Sequence, residues 1–128
     1  MTTMRKKCYI SGAIDSRDAR EAAGLSAEDF KEYQKRAFES AADVLRALGW
    51  KPINPFENGV SQNAHWRAHM KVDLAMLLQC DAIYLLKGWE LSKGCKLEFD
   101  VATTCGMTVY YEEGNRLEDI NGNELVKL

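Results

Sequence analysis

The sequence predicts an open α/β fold wound on both faces of a mostly parallel sheet, and two stretches carry that prediction. The first is Cys80 to Tyr111, CDAIYLLKGWELSKGCKLEFDVATTCGMTVYY, where a buried strand, a glycine-containing turn, a helix and a second buried strand follow in immediate succession. That order is one βαβ unit, the connection that parallel strands require. The second is Lys7-Cys8-Tyr9-Ile10-Ser11, a short apolar strand running into Gly12 as the first strand of a doubly wound sheet runs into a ligand loop. At 128 residues the chain has the length of one domain able to bury a sheet between helices. We therefore read 1–128 as one unit, with a core over 7–111 and an edge segment over 112–128.

After the first strand, residues 13–25 (AIDSRDAREAAGL) are polar and lack a clean period. They are expected to form a mobile active-site loop, with a short helix around Ser16 to Ala23 as the alternative. From there Arg17 and Arg20 would either reach a phosphate or remain solvated surface charge. Ser26 with Asp29 is an S-x-x-D helix start, and Phe30, Tyr33, Ala37, Phe38, Ala41, Val44, Leu45 and Leu48 follow helical spacing behind it. This long helix carries no catalytic pattern and is scaffold. Gly49 ends it, Trp50 to Ile53 forms a second short strand, and Asn54-Pro55 breaks that strand at the edge where the first loop also emerges. Asn54 is thus either a pocket-lining amide or an ordinary turn former.

Residues 56–63 (FENGVSQN) form a loop with turn chemistry at Asn58-Gly59. A helix from about Ala64 to Gln79 then places Trp66, Met70, Asp73 and Leu77 on one face. The acid is the informative member, because a carboxylate is rarely buried without a partner or a task. His65, His69 and Asp73 are spaced by four and in principle chelate a metal, but no Glu follows His65 and the chain has 2 histidines in all. No metal is expected.

The βαβ unit follows. Ala82-Ile83-Tyr84-Leu85-Leu86 is an apolar run suited to a strand covered on both faces. Leu97, Val101 and Cys105 recur at intervals of four and are expected to lie on the sheet. Gly106 stops the helix, and Met107 to Tyr111 resumes an extended pattern. Between strand and helix lies Gly88-Trp89-Glu90-Leu91-Ser92-Lys93-Gly94, at the ligand edge of such sheets. Ser92 is a good N-cap, and the free N–H groups beyond it seat an anion. Glu98 follows between one and two turns later, facing either the same crevice or solvent. An anion seat and a carboxylate at that separation suit a ribose 5′-phosphate whose C1′ meets a nucleophile. The last segment, Glu112 to Leu128, is polar, with Asn121-Gly122 between Leu117 to Ile120 and Glu124 to Lys127. It reads as a small hairpin, an edge strand or a contact with a neighbouring subunit.

Composition narrows the function classes. With 17 basic and 19 acidic residues, a net charge of -2, there is no basic footprint for a nucleic acid polymer. The balance of 46% hydrophobic and 28% charged residues is that of an ordinary soluble protein. The four cysteines form no C-x-x-C pair, and they read as reduced core residues of a cytoplasmic protein. No secretory leader is expected, and no stretch approaches membrane-spanning length.

Tyr9-Ile10-Ser11-Gly12, Asn54-Pro55, Trp66, Met70, Asp73, Cys80-Asp81, Gly88-Trp89, Ser92, Gly94 and Glu98 occur in this order. With them, over about residues 7 to 111, the chain resembles the nucleoside 2-deoxyribosyltransferase-like superfamily. It is most similar to a small branch of unassigned function found in bacteria and phages. The spaced set is specific, above all Y-I-S-G and G-W-x-x-S-x-G-x-x-x-E.

The resemblance implies a flavodoxin-like three-layer α/β/α sandwich, strand order 2-1-3-4-5 or a shortened version. It further implies cleavage of the N-glycosidic bond of a 2′-deoxynucleoside or its 5′-monophosphate, with no cofactor. Glu98 would attack C1′ to form a glycosyl-enzyme ester, Tyr9 would hold Glu98, and Asp73 would assist proton transfer to the base. Ser11, Gly12, Asn54, Gly88, Trp89, Ser92 and Gly94 would surround the substrate.

Ser92, where the nucleoside transferases tend to have an aspartate, points to a 5′-monophosphate. The first loop, Gly12 to Arg17, lacks the extra glycines of the monophosphate hydrolases. The family also implies a homodimer or larger assembly, with Trp66, Trp89 and the last segment as candidate contacts. Two other classes stay open: a nucleotide-binding module without catalysis, favoured by a Glu98 in solvent or paired with lysine, and an assembly domain.

Overall fold

The computed structural model describes residues 6–14, 16–61, 63–113, 116–119 and 124–127. Its elements are β1 (Lys7–Ser11), α1 (Arg17–Ala23), α2 (Ala27–Ala47), β2 (Lys51–Ile53), α3 (Trp66–Leu77), β3 (Ala82–Leu85), α4 (Lys93–Thr104), β4 (Thr108–Glu113), β5 (Arg116–Asp119) and β6 (Glu124–Lys127). Single 3-10 turns cover Pro55–Glu57 and Trp89–Leu91. The sheet runs β2-β1-β3-β4-β5-β6, parallel through β4 and antiparallel beyond it. This is the flavodoxin-like α/β sandwich, with the last segment added as two edge strands. The Asn121-Gly122 turn lies outside the described residues.

Strand alternation divides the core. Cys8 and Ile10 of β1 join Ala82, Tyr84 and Leu86 under Phe38, Ala41 and Leu45 of α2. On the other face Tyr9 joins Ile83, Leu85 and Val109 against Leu77, Cys80 and Ala102. Fully burying a side chain such as Phe38 or Leu45 contributes about 2 kcal/mol, so each helix is held mainly by its apolar stripe. Cys8, Cys80 and Cys95 are buried free thiols, and Cys105 is exposed. Among the described residues no helix is long and apolar enough to cross a membrane.

Three expectations about helices are corrected. Residues 13–25 hold the short helix α1 rather than a loop: Ser16 caps it by accepting from Ala19 N, and Gly24 closes it at φ 71°. Its small buried residue, Ala19, packs with Ala13 and Phe30, too little apolar surface to give a readable period. In α2, Tyr33 is 60% exposed and Gln34 points inward instead, donating to the Ala13 carbonyl at 2.6 Å. A buried carbonyl in the first loop needs a donor, and Gln34 provides it. In α4, Leu97 is 40% exposed and Cys105 is exposed, while Cys95, Glu98 and Ala102 face inward. The face is offset from the apolar spacing because it contains a carboxylate that the sheet satisfies.

Gly12 follows β1 where the chain passes between α2 and the end of β3. A Cβ there would lie 2.6 Å from Leu86 Cδ1 and 2.9 Å from two ring atoms of Phe38. Gly12→Ala is therefore expected to lower the unfolding free energy by about 2 kcal/mol through overpacking, read as a lower urea midpoint. An unchanged midpoint would mean that Leu86 and Phe38 yield without loss.

Candidate active site

The site lies on the α3 and α4 side of the sheet, at the carboxyl end of β1. Tyr9 and Ser11, two residues apart, project from the same side of that strand, and both are fully buried. Ser92 caps α4, its Oγ accepting from Cys95 N at 3.3 Å. One further turn brings Glu98 inward beneath the cap.

There the Glu98 carboxylate is held at both oxygens: Tyr9 donates its hydroxyl to Oε2, and Ser11 Oγ donates to Oε1 at 2.9 Å. Glu98 is 5% exposed. Burial pushes its pKa up to about 7, the Tyr9 and Ser11 hydrogen bonds oppose the rise, and the charge of Asp73 adds to it. Tyr9 is raised well above the usual phenol range, by burial first and then by Glu98 and Asp73.

Asp73 comes from α3, on the stripe shared with Met70 and Leu77. It is 8% exposed, and its Oδ1 accepts from Asn58 Nδ2 at 2.9 Å. Burial raises its pKa, while the Asn58 hydrogen bond and His69 lower it. Because Asp73 ionisation disfavours that of Glu98, an Asp73 that keeps its proton favours the Glu98 carboxylate.

The close approach of α3 and α4 depends on Gly94. A Cβ at that position would stand 3.2 Å from Met70 Sδ and 3.7 Å from Trp66 Nε1. Above this contact the Lys93 ammonium lies 5.2 Å from the centroid of the half-exposed Trp66 ring. Ser16 Oγ donates to the Leu91 carbonyl at 2.8 Å, tying α1 to the turn before α4.

Tyr9, Ser11, Asp73 and Glu98 thus converge, with Ser92 and Gly94 in the first turns of the helix that carries Glu98. Other expected substrate contacts have structural work elsewhere. Gly12 packs on Leu86 and Phe38, Asn54 Oδ1 accepts from Phe56 N at 3.0 Å to cap its turn, and Gly88 supplies φ 88° before the next turn. The Trp89 ring lies 4.9 Å from that of Phe99 and 6.2 Å from that of Tyr111, anchoring its loop to the core. Arg17 is exposed and pairs with Glu21.

His65 Nδ1 accepts from Arg67 N as the cap of α3, whereas His69 Nδ1 faces Asn58 Nδ2 at 3.3 Å. Among the described residues no group of three or more His, Cys, Asp and Glu could hold a metal ion.

Two residues at the site escaped the sequence reading. Cys95 is buried near the Ser11 and Ser92 hydroxyls, and burial pushes it up to about 11, so it is a thiol at neutral pH. The spacing Ser92, Cys95, Glu98, Ala102 marks that inward stripe. Asn58 carries no such mark, since its part is set by a turn meeting a distant helix. The arrangement offers a buried carboxylate gripped by two hydroxyls, with a second carboxyl beside it.

Residues 6–111 match the family described as domain of unknown function DUF4406. No curated protein matches the chain.

Proposed function

Because the chain belongs to the DUF4406 family, whose description names no activity, we propose from its own residues that it cleaves the N-glycosidic bond of 2′-deoxynucleoside 5′-monophosphates. One observation carries this reading: Glu98, held by Tyr9 and Ser11 and buried beside Asp73 at the ligand edge of the sheet. A Glu98 in solvent or on a lysine would have favoured a binding module; it is buried on Tyr9 and Ser11 instead, which supports the enzyme reading.

A Glu98 oxygen attacks C1′ as the C1′–N bond breaks, and the electron pair of that bond leaves with the base. Asp73 gives the departing nitrogen its proton, because an unprotonated base is a poor leaving group. The transition state is oxocarbenium-like, so the carboxylate serves both as charge and as nucleophile. Water, or a second base, then attacks C1′ of the ester and gives up a proton to the Asp73 carboxylate, as the ester C–O bond breaks and restores the Glu98 carboxylate. The 5′-phosphate takes the amino end of α4, near Ser92 and Lys93. This reading places the protein in the nucleoside 2-deoxyribosyltransferase-like superfamily.

The test is release of free base from a panel of deoxynucleosides and their 5′-monophosphates, with and without a second base as acceptor. Release from monophosphates in preference to nucleosides is expected. Acceptor-dependent formation of a new nucleotide would make the protein a transferase rather than a hydrolase. No release above the Glu98→Ala background from any member of the panel would overturn the proposal.

A further inference from the structure

We propose that Asn58 is a positioning residue for the proton-donating step, directing the proton of Asp73 onto Oδ2; this rests on the glycosidase reading above. Asn58 follows the Pro55–Glu57 turn, and its Oδ1 accepts from Val60 N at 2.9 Å. That bond fixes which end of the side-chain amide faces α3, because only an oxygen can accept there. The amide nitrogen is consequently turned to the helix, where it donates 2.9 Å to Asp73 Oδ1 and stands 3.3 Å from His69 Nδ1. His69 and Asp73 are one helical turn apart, so a single NH₂ group spans both.

Two consequences follow for the acid form of Asp73. A proton on Oδ1 would set an O–H against the Asn58 N–H and lose the hydrogen bond, so the proton belongs on Oδ2. Among the described residues no hydrogen bond reaches Oδ2, which leaves that oxygen free for a substrate nitrogen. The second consequence concerns His69. Its Nδ1 faces the same NH₂ group, so the Asn58 amide links the Asp73 carboxyl to the imidazole one helical turn away. The titratable groups around Asp73 are Tyr9 from β1, Cys95 and Glu98 from α4 and His69 on its own helix. A carboxyl whose proton sits on a chosen oxygen, aimed by a fixed amide, is what general-acid catalysis of base departure requires.

The experiment compares wild type and Asn58→Ala on two substrates. One is the deoxynucleoside 5′-monophosphate that the wild type cleaves. The other is the p-nitrophenyl 2-deoxyriboside 5-phosphate, whose leaving group departs without a proton. We expect kcat to fall on the order of 10²-fold on the nucleotide, with KM little changed, and by less than about threefold on the nitrophenyl substrate, which does not draw on that proton.

The nitrogen-15 resonances of the His69 ring should shift in the variant, which loses the Asn58 contact. If Asn58→Ala does not fold, Asn58→Ser, which keeps a turn-forming side chain, takes its place. Equal losses on both substrates, or no loss on the nucleotide, would overturn this inference while leaving the glycosidase reading intact. A wild type that releases neither base nor nitrophenolate would overturn both.

Discussion

Glu98→Gln is expected to abolish base release, by about 10⁴-fold or more, while making the protein more stable above neutral pH. Activity falls because the amide cannot form the ester at C1′. Stability rises for a separate reason, rooted in the burial of the acid. The ordinary value of 4.5 for this group becomes about 7 in the folded protein. Below the ordinary value folded and unfolded chains both hold the proton, and the group contributes no pH dependence.

Between the two values the unfolded chain ionises and the folded one does not, so stability falls as pH rises. Above about pH 7 the folded protein must carry a buried charge, and the full penalty of about 3 kcal/mol is present. Glutamine does not titrate. Its oxygen still accepts from Tyr9, and its amide can donate to Ser11. Urea unfolding at about pH 8 should therefore favour Glu98→Gln by up to about 3 kcal/mol, and at about pH 4 the two proteins should coincide. A variant less stable than wild type at the higher pH would mean that Tyr9 and Ser11 outweigh burial.

Asp73→Asn is the second large effect: a loss of 10²- to 10³-fold, roughly, in kcat on nucleotides. The reactive arrangement has a proton on Asp73, whose pKa burial raises, and an ionised Glu98. The activity of the wild type should decline at high pH as Asp73 gives up its proton. In Asp73→Asn that decline should disappear, because no acid remains to lose. Glu98, relieved of the neighbouring charge, should ionise at lower pH. On a substrate that needs no protonated leaving group, the variant should stay active and its acidic limb should move down. An acidic limb that does not move would show that the Asp73 charge does not act on Glu98.

The parallel strands were legible because each is a short apolar run bounded by glycine, proline or a polar residue, and α2 because its stripe is long and capped at Ser26. Asp73 was legible as an anomaly, an acid in an otherwise apolar stripe, whereas Glu98 was marked only by its place behind the Ser92 cap and Tyr9 only by the family resemblance. The phase of α4 was hidden, since spacing of apolar residues cannot see that Tyr9 and Ser11 satisfy a carboxylate from 87 or more residues away. Gln34 and Asn58 were hidden likewise. Each is a polar side chain whose partner, the Ala13 carbonyl or the Asp73 carboxylate, is fixed only by the tertiary arrangement. Local propensity carries α1 poorly, because a helix of 7 residues has little stripe to display.

Gly94 acts as a ruler. With only hydrogen as its side chain, the first turn of α4 rests almost on the Met70 sulfur, so this contact limits how closely the helix that carries Glu98 approaches the helix that carries Asp73. One added methyl group is a spacer of a few tenths of an ångström, a length to which proton transfer and attack at carbon are both sensitive. The spacing of the two carboxyl-bearing helices, on which the proposed reaction depends, is therefore adjustable at a single position between them.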